Sequence, residues 1–482
     1  MNFSDLTTIL PLITLVGWAI ILILVDLFIP AQRKGIMAML SAIGIMISLV
    51  IAICQFGGQT TAFSGMVVFD GFSVFLQILF LISGLAAIAL AYDYIKRQGI
   101  ERSEYYILLM FSLSGMTLMA MADDLIIIFL ALELLSIPLY VLAGFANPRL
   151  DSEEAALKYF LLGSFSDAFV VFGTALVFGA ARTTTIPGII AAITVGAANL
   201  ILLMVGAALI LIGLGFKVSI VPFHMWTPDV YQGAPSSVTA FMAVGAKTAG
   251  FAALLRVFMA AFNTLAVDLV PVLWALAALT MILGNITAIV QGNIKRLLAY
   301  SSIAHTGYIS MVLVTINQSR ITQHAVGAAL FYLVAYAVTS FGAWAVVITL
   351  EHSEGKGLNV EDYAGLGRKY PALAAAMTVF MLSFTGVPPT LGFLGKFYIF
   401  RAVLEGGYVG LAIIGVLTSL VSAYYYLRVV VVMYMREGEP LVRKEFWLSS
   451  TIFMTAIATV IVSIFSTPLF TWASKGIMFI PK

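Results

Sequence analysis

Residues 211–251 read LIGLGFKVSIVPFHMWTPDVYQGAPSSVTAFMAVGAKTAGF. They lie mid-chain among apolar segments, yet they include Lys217, His224, Asp229 and Lys247 together with Pro222, Pro228 and Pro235. An ammonium group near the centre of a bilayer costs at least ~3 kcal/mol, so an intramembrane lysine is by default a functional position. Two such lysines, thirty residues apart, set the question for the rest of the chain.

The 482 residues are 62% hydrophobic and 10% charged, with a mean hydropathy of +1.06. A soluble domain carries roughly 25% charged residues, so this is the composition of a polytopic membrane protein. The net charge of +2 says little about acidic or nucleic-acid partners. Cys54 is the only cysteine, which rules out an internal disulfide and argues against a cysteine-held iron–sulfur cluster or structural zinc site. No GxGxxG, GxxxxGK[ST] or HExxH occurs in a setting that would give it meaning. The apolar run 9–29 has no A-x-A cleavage pattern and reads as a retained helix.

Runs long enough to cross about 30 Å of hydrocarbon fall near 9–29, 36–55, 71–92, 105–122, 125–145, 157–180, 200–222, 236–262, 269–291, 298–316, 322–350, 372–404, 408–435 and 447–470. That makes fourteen spans, with 182–199 a loop containing a short apolar piece that does not cross. Charge asymmetry tests the count. Alternate connections hold Arg33, Lys34, Lys96, Arg97, Arg102, Arg149, Lys295, Arg296, Lys356, Arg368, Lys369, Arg436, Arg443 and Lys444, fourteen of the 25 basic residues. The opposite side and the termini hold only Arg182, Arg320, Lys475 and Lys482. This bias predicts a multi-pass protein of the cell (inner) membrane with both termini on the non-cytoplasmic side. The longest link, 351–370, is too short for a second domain, so the expectation is one all-α membrane domain over 1–482.

Two spans read as discontinuous helices. The segment 372–404 is far longer than needed and contains Gly386-Val387-Pro388-Pro389, two prolines that remove amide donors and clash with the preceding turn. Lys396 follows seven residues later. Gly213, Gly215, Ser219 and Pro222 bracket Lys217 in the same manner. Breaks at membrane depth need protein or water to receive the freed backbone groups, and corresponding breaks in two halves point to repeated transporter architecture. The candidate five-helix inverted repeats are 105–262 and 269–435.

Several buried polar residues carry two readings. Lys247 lies too deep among glycines and alanines for its amine to reach water, which favours function. Lys217, near Pro222, could reach the interface with its stem. Glu133, flanked by leucines in ALELLSIPLY, must be paired or protonated, either as a structural pair or as the switchable partner of a lysine. At 4 Å and an effective dielectric near 20 such a pair is worth about 4 kcal/mol. Asp167 is either a satisfied core carboxylate or a relay member, and Lys158 either extends to the interface or joins the relay. His224 and His305 carry imidazoles suited to proton exchange, although solvated histidines near helix ends are common. Arg256, Arg401 and Arg428 read as interfacial anchors, and Asp229 as a cap for the following helix.

The segments GFKVSIVPFHMWTPDVYQGAPSSVTAFMAVGAKTAGF, KRLLAYSSIAHTGYI at 295–309 and GVPPTLGFLGKFYIF at 386–400 resemble the antiporter-like membrane subunits of respiratory complex I, the proton-pumping NADH–quinone oxidoreductase. The DVYQGAP turn and the GVPP…GFLGKF order are closest to the N-type subunit, and the resemblance runs over nearly the whole chain. It implies pumping roles for Glu133, Lys217, Lys247 and Lys396, with weaker support for Lys158, His224 and His305. Asp167 stands where relatives are expected to carry small hydroxyl residues. The chain ends twelve residues past Phe470, short of the lateral helix of the L-type.

The expected function is therefore proton translocation coupled to quinone reduction elsewhere in the complex, as one subunit of a translocase. The resemblance implies no cofactor in this chain. It places FMN and iron–sulfur clusters in partner subunits of the membrane and peripheral arms. The rivals are a subunit of a multisubunit cation/proton antiporter or membrane-bound hydrogenase, and a purely structural membrane subunit whose buried ions only specify helix packing.

Overall fold

In the computed structural model, residues 3–30, 33–316, 319–352, 357–476 and 478 are described. Lys356, Lys482 and the side chain of Arg320, counted above in the charge bias, lie outside them. The chain is a helical bundle with one small β-hairpin, Thr60–Ala62 (β1) against Val67–Phe69 (β2). The first crossings are α1 (Leu10–Asp26), α2 (Ile36–Cys54), α3 (Gly71–Arg97), α4 (Glu104–Met121), α5 (Leu125–Ala143) and α6 (Leu150–Ala181). The seventh is broken into α7 (Leu200–Val218) and α8 (Trp226–Gly233). Then come α9 (Ser236–Ala261), α10 (Ala266–Ile289), α11 (Ile294–Ser310) and α12 (Ser319–Leu350). The pair α13 (Pro371–Thr385) and α14 (Leu391–Glu405) forms the second broken crossing, followed by α15 (Val409–Met435) and α16 (Phe446–Ile464).

Among the described residues, twelve helices are long and apolar enough to cross a membrane; with α1 and the α13/α14 pair they account for the fourteen spans read from hydropathy. The loop 182–199 carries only a nine-residue helix, Ile186–Thr194. Helix starts follow the sequence signals. Asp70 accepts from the Ser73 amide while Ser73 accepts from that of Asp70, a capping box opening α3. Asp124, Asn199 and Asn293 cap α5, α7 and α11 with their side chains. One boundary differs: α6 begins at Leu150, a full two turns before the hydropathic run, because DSEEAALK is a charged first segment that helix geometry accepts and hydropathy alone does not register.

Burial is graded from the rim inward. α9 is wholly buried and α11 and α12 nearly so, whereas α2, α6, α15 and α16 expose Leu, Ile, Phe and Met along their outer faces. The central helices therefore carry the polar side chains and the outer ones face lipid. Close approach depends on glycine in places: a Cβ at Gly115 would stand 2.3 Å from the Leu135 amide nitrogen, so α4 lies directly on α5, the helix that bears Glu133.

Both breaks supply partners for the backbone groups they free. At the end of α7, Ser219 adopts a left-handed φ of +67°, the Trp226 indole donates to the Phe216 carbonyl, and the Thr306 hydroxyl donates to that of Val218. At the end of α13, Gly386 has φ +88°, and the carbonyls of Phe384 and Thr385 each accept from Lys396 Nζ at 2.9 Å. A helix C-terminus attracts cations, and Lys396 is that cation.

Candidate functional site: a buried line of titratable side chains

The line starts at the side of the bundle. A groove of about 450 Å³ between α5 and α6 is lined by Phe129, Glu133, Ser164, Asp167, Ala168 and Phe172. Glu133 is half-buried there, and its carboxyl is within hydrogen-bond reach of that of the buried Asp167. Tyr140 donates to Asp167 Oδ2 at 3.2 Å. Both carboxyls feel the charge of Lys217, whose Nζ donates to Ser136 Oγ at 2.6 Å and to the Tyr159 hydroxyl at 3.2 Å. Its ammonium also lies over the Tyr159 ring, 5.2 Å from the centroid. Among the described residues, Glu133 makes no direct ion pair with a lysine; Lys217 is held instead by the hydroxyls of Ser136 and Tyr159.

Lys247 occupies the centre of α9, directly after a π-helical segment, Met242–Ala246. Such segments recur at functional positions in helices. Its Nζ donates to both the carbonyl (3.0 Å) and the hydroxyl of Ser302 on α11, and Tyr336 donates to the same hydroxyl at 2.8 Å. Tyr231, near the end of α8, has the Ser302 hydroxyl within reach and feels the Tyr159 hydroxyl electrostatically, so it lies in the neighbourhood of both lysine environments. One turn beyond Ser302, His305 is fully enclosed: Nδ1 contacts the Tyr332 hydroxyl at 2.6 Å and Nε2 that of Tyr426 at 3.1 Å. The sequence placed His305 near a helix end; it sits instead twelfth in α11, within the bundle.

From Tyr426 the contacts run through Tyr425 to the Asn285 amide, and from Asn285 to Tyr308. Lys396 closes this end, donating to Ser419 Oγ at 2.8 Å and sitting 4.6 Å from the Tyr308 ring centroid. Glu133, Asp167, Lys217, Lys247, His305 and Lys396 thus fall on one buried course, bridged by hydroxyl groups. The bridging residues Ser136, Tyr159, Tyr231, Ser302, Tyr332, Tyr336, Tyr426 and Ser419 were not picked out by sequence. A signal existed: Glu133, Ser136 and Tyr140, like Ser302 and His305, are spaced to share one helix face.

Two candidates fall off this course. Lys158 is 40% exposed and pairs with Glu154 and with Asp229, each at 2.7 Å. Asp229 also binds Arg296 at 2.7 Å, so it ties α6, α8 and α11 together rather than capping the next helix. His224 lies in the linker between α7 and α8, half-buried with Nδ1 unpartnered.

Arg256 corrects another expectation. It is no interfacial anchor: 2% exposed, it forms a bidentate pair with Asp70 at 3.0 and 3.1 Å, donates to the Ala120 carbonyl at 3.0 Å and faces Asp123 at 3.9 Å. Burial raises the pKa of Asp123 to about 6, against the pull of Arg256. Arg428 donates to the carbonyls of Ile289 and Gln291, and Arg401 pairs with Glu405 on the outer surface.

Comparison with known proteins agrees with this arrangement. Residues 122–422 match the family described as NADH:quinone oxidoreductase/Mrp antiporter, transmembrane. The chain is 44% identical over 480 residues to NADH-quinone oxidoreductase subunit N of Chloroflexus aggregans, covering 98% of this chain and 97% of the relative. It is 47% identical over 436 residues to subunit N of Trichlorobacter lovleyi, covering 90% and 88%. Among solved structures, a chain of respiratory complex I from Thermus thermophilus superimposes with a TM-score of 0.83 at 34% identity, covering 96% of this chain and 99% of that one. The chain belongs to the NADH:quinone oxidoreductase/Mrp antiporter transmembrane family, on the branch of the NADH-quinone oxidoreductase N subunits.

Proposed function

We propose that proton translocation by this N-type subunit of NADH–quinone oxidoreductase runs along the buried course from Glu133 to Lys396. The observation that carries the reading is that course itself: three lysines with no direct carboxylate partner among the described residues, each held by hydroxyls or carbonyls. A structural ion would be locked against an opposite charge, as Arg256 is. A lysine bonded only to neutral oxygens gives up its proton at far smaller cost, which is what a relay needs.

In this mechanism a charge displacement from quinone reduction elsewhere reaches Glu133 through the lateral groove. A proton shared between Glu133 and Asp167 changes the field at Lys217. Lys217 passes its proton by way of Tyr159, Tyr231 and Ser302 to Lys247, and His305 and the tyrosines around it link Lys247 to the exit group Lys396. Lys158 and His224 serve the periphery: Lys158 fixes α8, and His224 stands at the mouth of the first break. The fourth crossing of each five-helix half, 105–262 and 269–435, is the broken one, which supports reading the halves as inverted repeats. The charge bias supports termini on the non-cytoplasmic side of the cell (inner) membrane. FMN and iron–sulfur clusters would reside in partner subunits.

The test is proton pumping by the assembled complex in closed vesicles. Lys247→Ala and Glu133→Ala should each lower pumping by roughly tenfold or more; undiminished pumping in both removes the assignment. Co-purified flavin and iron–sulfur subunits distinguish this assembly from a cation/proton antiporter.

A further inference from the structure

A second set of buried titratable groups lies off this course, where α3, α9, α11 and α12 meet. Lys295, counted as a loop cation from the sequence, is fully buried and its Nζ makes a single hydrogen bond, to the Ala234 carbonyl at 2.7 Å. Glu351, directly after α12, is also fully buried, and among the described residues its carboxylate has one hydrogen bond, accepted from the Tyr94 hydroxyl at 3.1 Å. Tyr94 in turn accepts from the Ser236 amide at 3.1 Å. The amine and the carboxylate feel one another's charge without forming a direct ion pair. Three further polar atoms are enclosed and unpartnered: Glu351 Oε2, Ser236 Oγ and the hydroxyl of Tyr363.

A buried pair kept for structure looks different in this same protein. Arg256 and Asp70 meet in two parallel hydrogen bonds, and a backbone carbonyl takes a third. Lys295 and Glu351 leave most of their hydrogen-bonding capacity unused, and unsatisfied buried polar atoms in such number mark a place for water. The site has neighbours in both directions. Lys295 and Ser302 are seven residues apart on one face of α11, about 10 Å along the axis, and Ser302 holds Lys247. On the other side His352, half-buried with Nδ1 unpartnered, adjoins Glu351. Among the described residues, Arg149 and Asp151 at the start of α6, and Asp362 beside Tyr363, add further charges around it.

We propose that Lys295 and Glu351 form a hydrated proton-loading site that supplies Lys247 from the α12 end of the bundle. The inference rests on Lys247 carrying protons. The Glu351 carboxylate takes a proton from water on the His352 side and becomes the neutral acid. It passes that proton through water and Lys295 to the Lys247 amine after Lys247 has discharged, and returns to the carboxylate. The amine of Lys295 ends the cycle in the protonation state in which it began.

The variant Glu351→Gln in the assembled complex tests it, with quinone reduction and proton uptake by closed vesicles followed against pH on the loading side. Pumping should fall roughly tenfold at high pH, where protons are scarce, and approach the parent rate at low pH. A pH profile identical to the parent's overturns the proposal. If the variant does not assemble, the unaltered complex decides at a resolution that shows water: waters bridging Glu351 to Lys295 support the site, and a dry cluster overturns it. Lys247→Ala separates the two readings. Loss of pumping in Lys247→Ala with a parent-like Glu351→Gln removes only the loading site, whereas normal pumping in Lys247→Ala removes the relay on which it depends.

Discussion

Ser302 shows how a single hydroxyl can decide whether a buried amine works. Lys247 has one carbonyl and one hydroxyl as partners, both from Ser302, and that hydroxyl also receives Tyr336. Ser302→Ala removes one of two bonds to the ammonium and leaves the Tyr336 hydroxyl without its acceptor. A hydrogen bond to a charged group contributes about 1.5–3 kcal/mol, which corresponds to a tenfold or larger change in how readily Lys247 holds its proton. Pumping per quinone reduced should fall by about that factor in Ser302→Ala and be largely kept in Ser302→Thr. Proton uptake against quinone reduction measures both. Lys247 and Lys396 were legible in the sequence because a charge inside an apolar run has no inexpensive explanation, whereas Lys217, close to Pro222, stood out only through the family resemblance. Tyr159, Tyr231, Tyr336 and Ser302 were not legible, since tyrosine and serine are ordinary residues in such helices and only the packing of α6, α8, α11 and α12 makes them neighbours. Arg256 was misread for a related reason. Its distance from the end of a hydropathic run suggested an interface, while its partner Asp70 lies 186 residues earlier.

At the scale of elements, the two breaks were the most legible features, because consecutive prolines or a cluster of glycine, serine and proline leave backbone groups that only a special environment satisfies. The sequence could not show what fills that need. In the α13/α14 break it is Lys396 itself, so the helix end and the proposed proton carrier are joined by direct hydrogen bonds. Gly386→Ala should expose this coupling. At φ +88° a Cβ brings about 1–2 kcal/mol of strain, and it would also stand 3.0 Å from Lys396 Cδ, pressing the lysine stem away from the Phe384 and Thr385 carbonyls. Gly407→Ala is the control: φ is +83° but nothing lies within 4 Å of the added Cβ. Both variants should lose thermal stability to a similar degree, and only Gly386→Ala should lose pumping. Equal pumping in the two would mean that the break positions nothing. The start of α6 at Leu150 was missed because a hydropathy window discounts charged first turns that a helix dipole welcomes.

Across the whole molecule, the polar course is useful only if the central helices keep their mutual register, and Arg256 is where that register is fixed. It sits near the end of α9, the helix of Lys247, and binds Asp70 at the cap of α3, Ala120 near the end of α4 and Asp123 in the turn before α5. Two stretches distant in sequence, the cap of α3 and the α4–α5 junction, meet on one guanidinium. Arg256→Met would take from two buried carboxylates the guanidinium they share, and breaking a buried pair in this way costs about 3–5 kcal/mol. The fraction of folded chain recovered in detergent, and its unfolding temperature, should drop accordingly. The carboxylates rather than the arginine would be the source of the loss. Adding Asp70→Asn and Asp123→Asn to Arg256→Met should therefore recover most of it, because asparagine still caps α3 and neither amide carries a charge. If the triple variant is no more stable than Arg256→Met alone, the guanidinium acts through its packing against Phe72, 4.9 Å from the ring centroid, and the charge cluster is secondary.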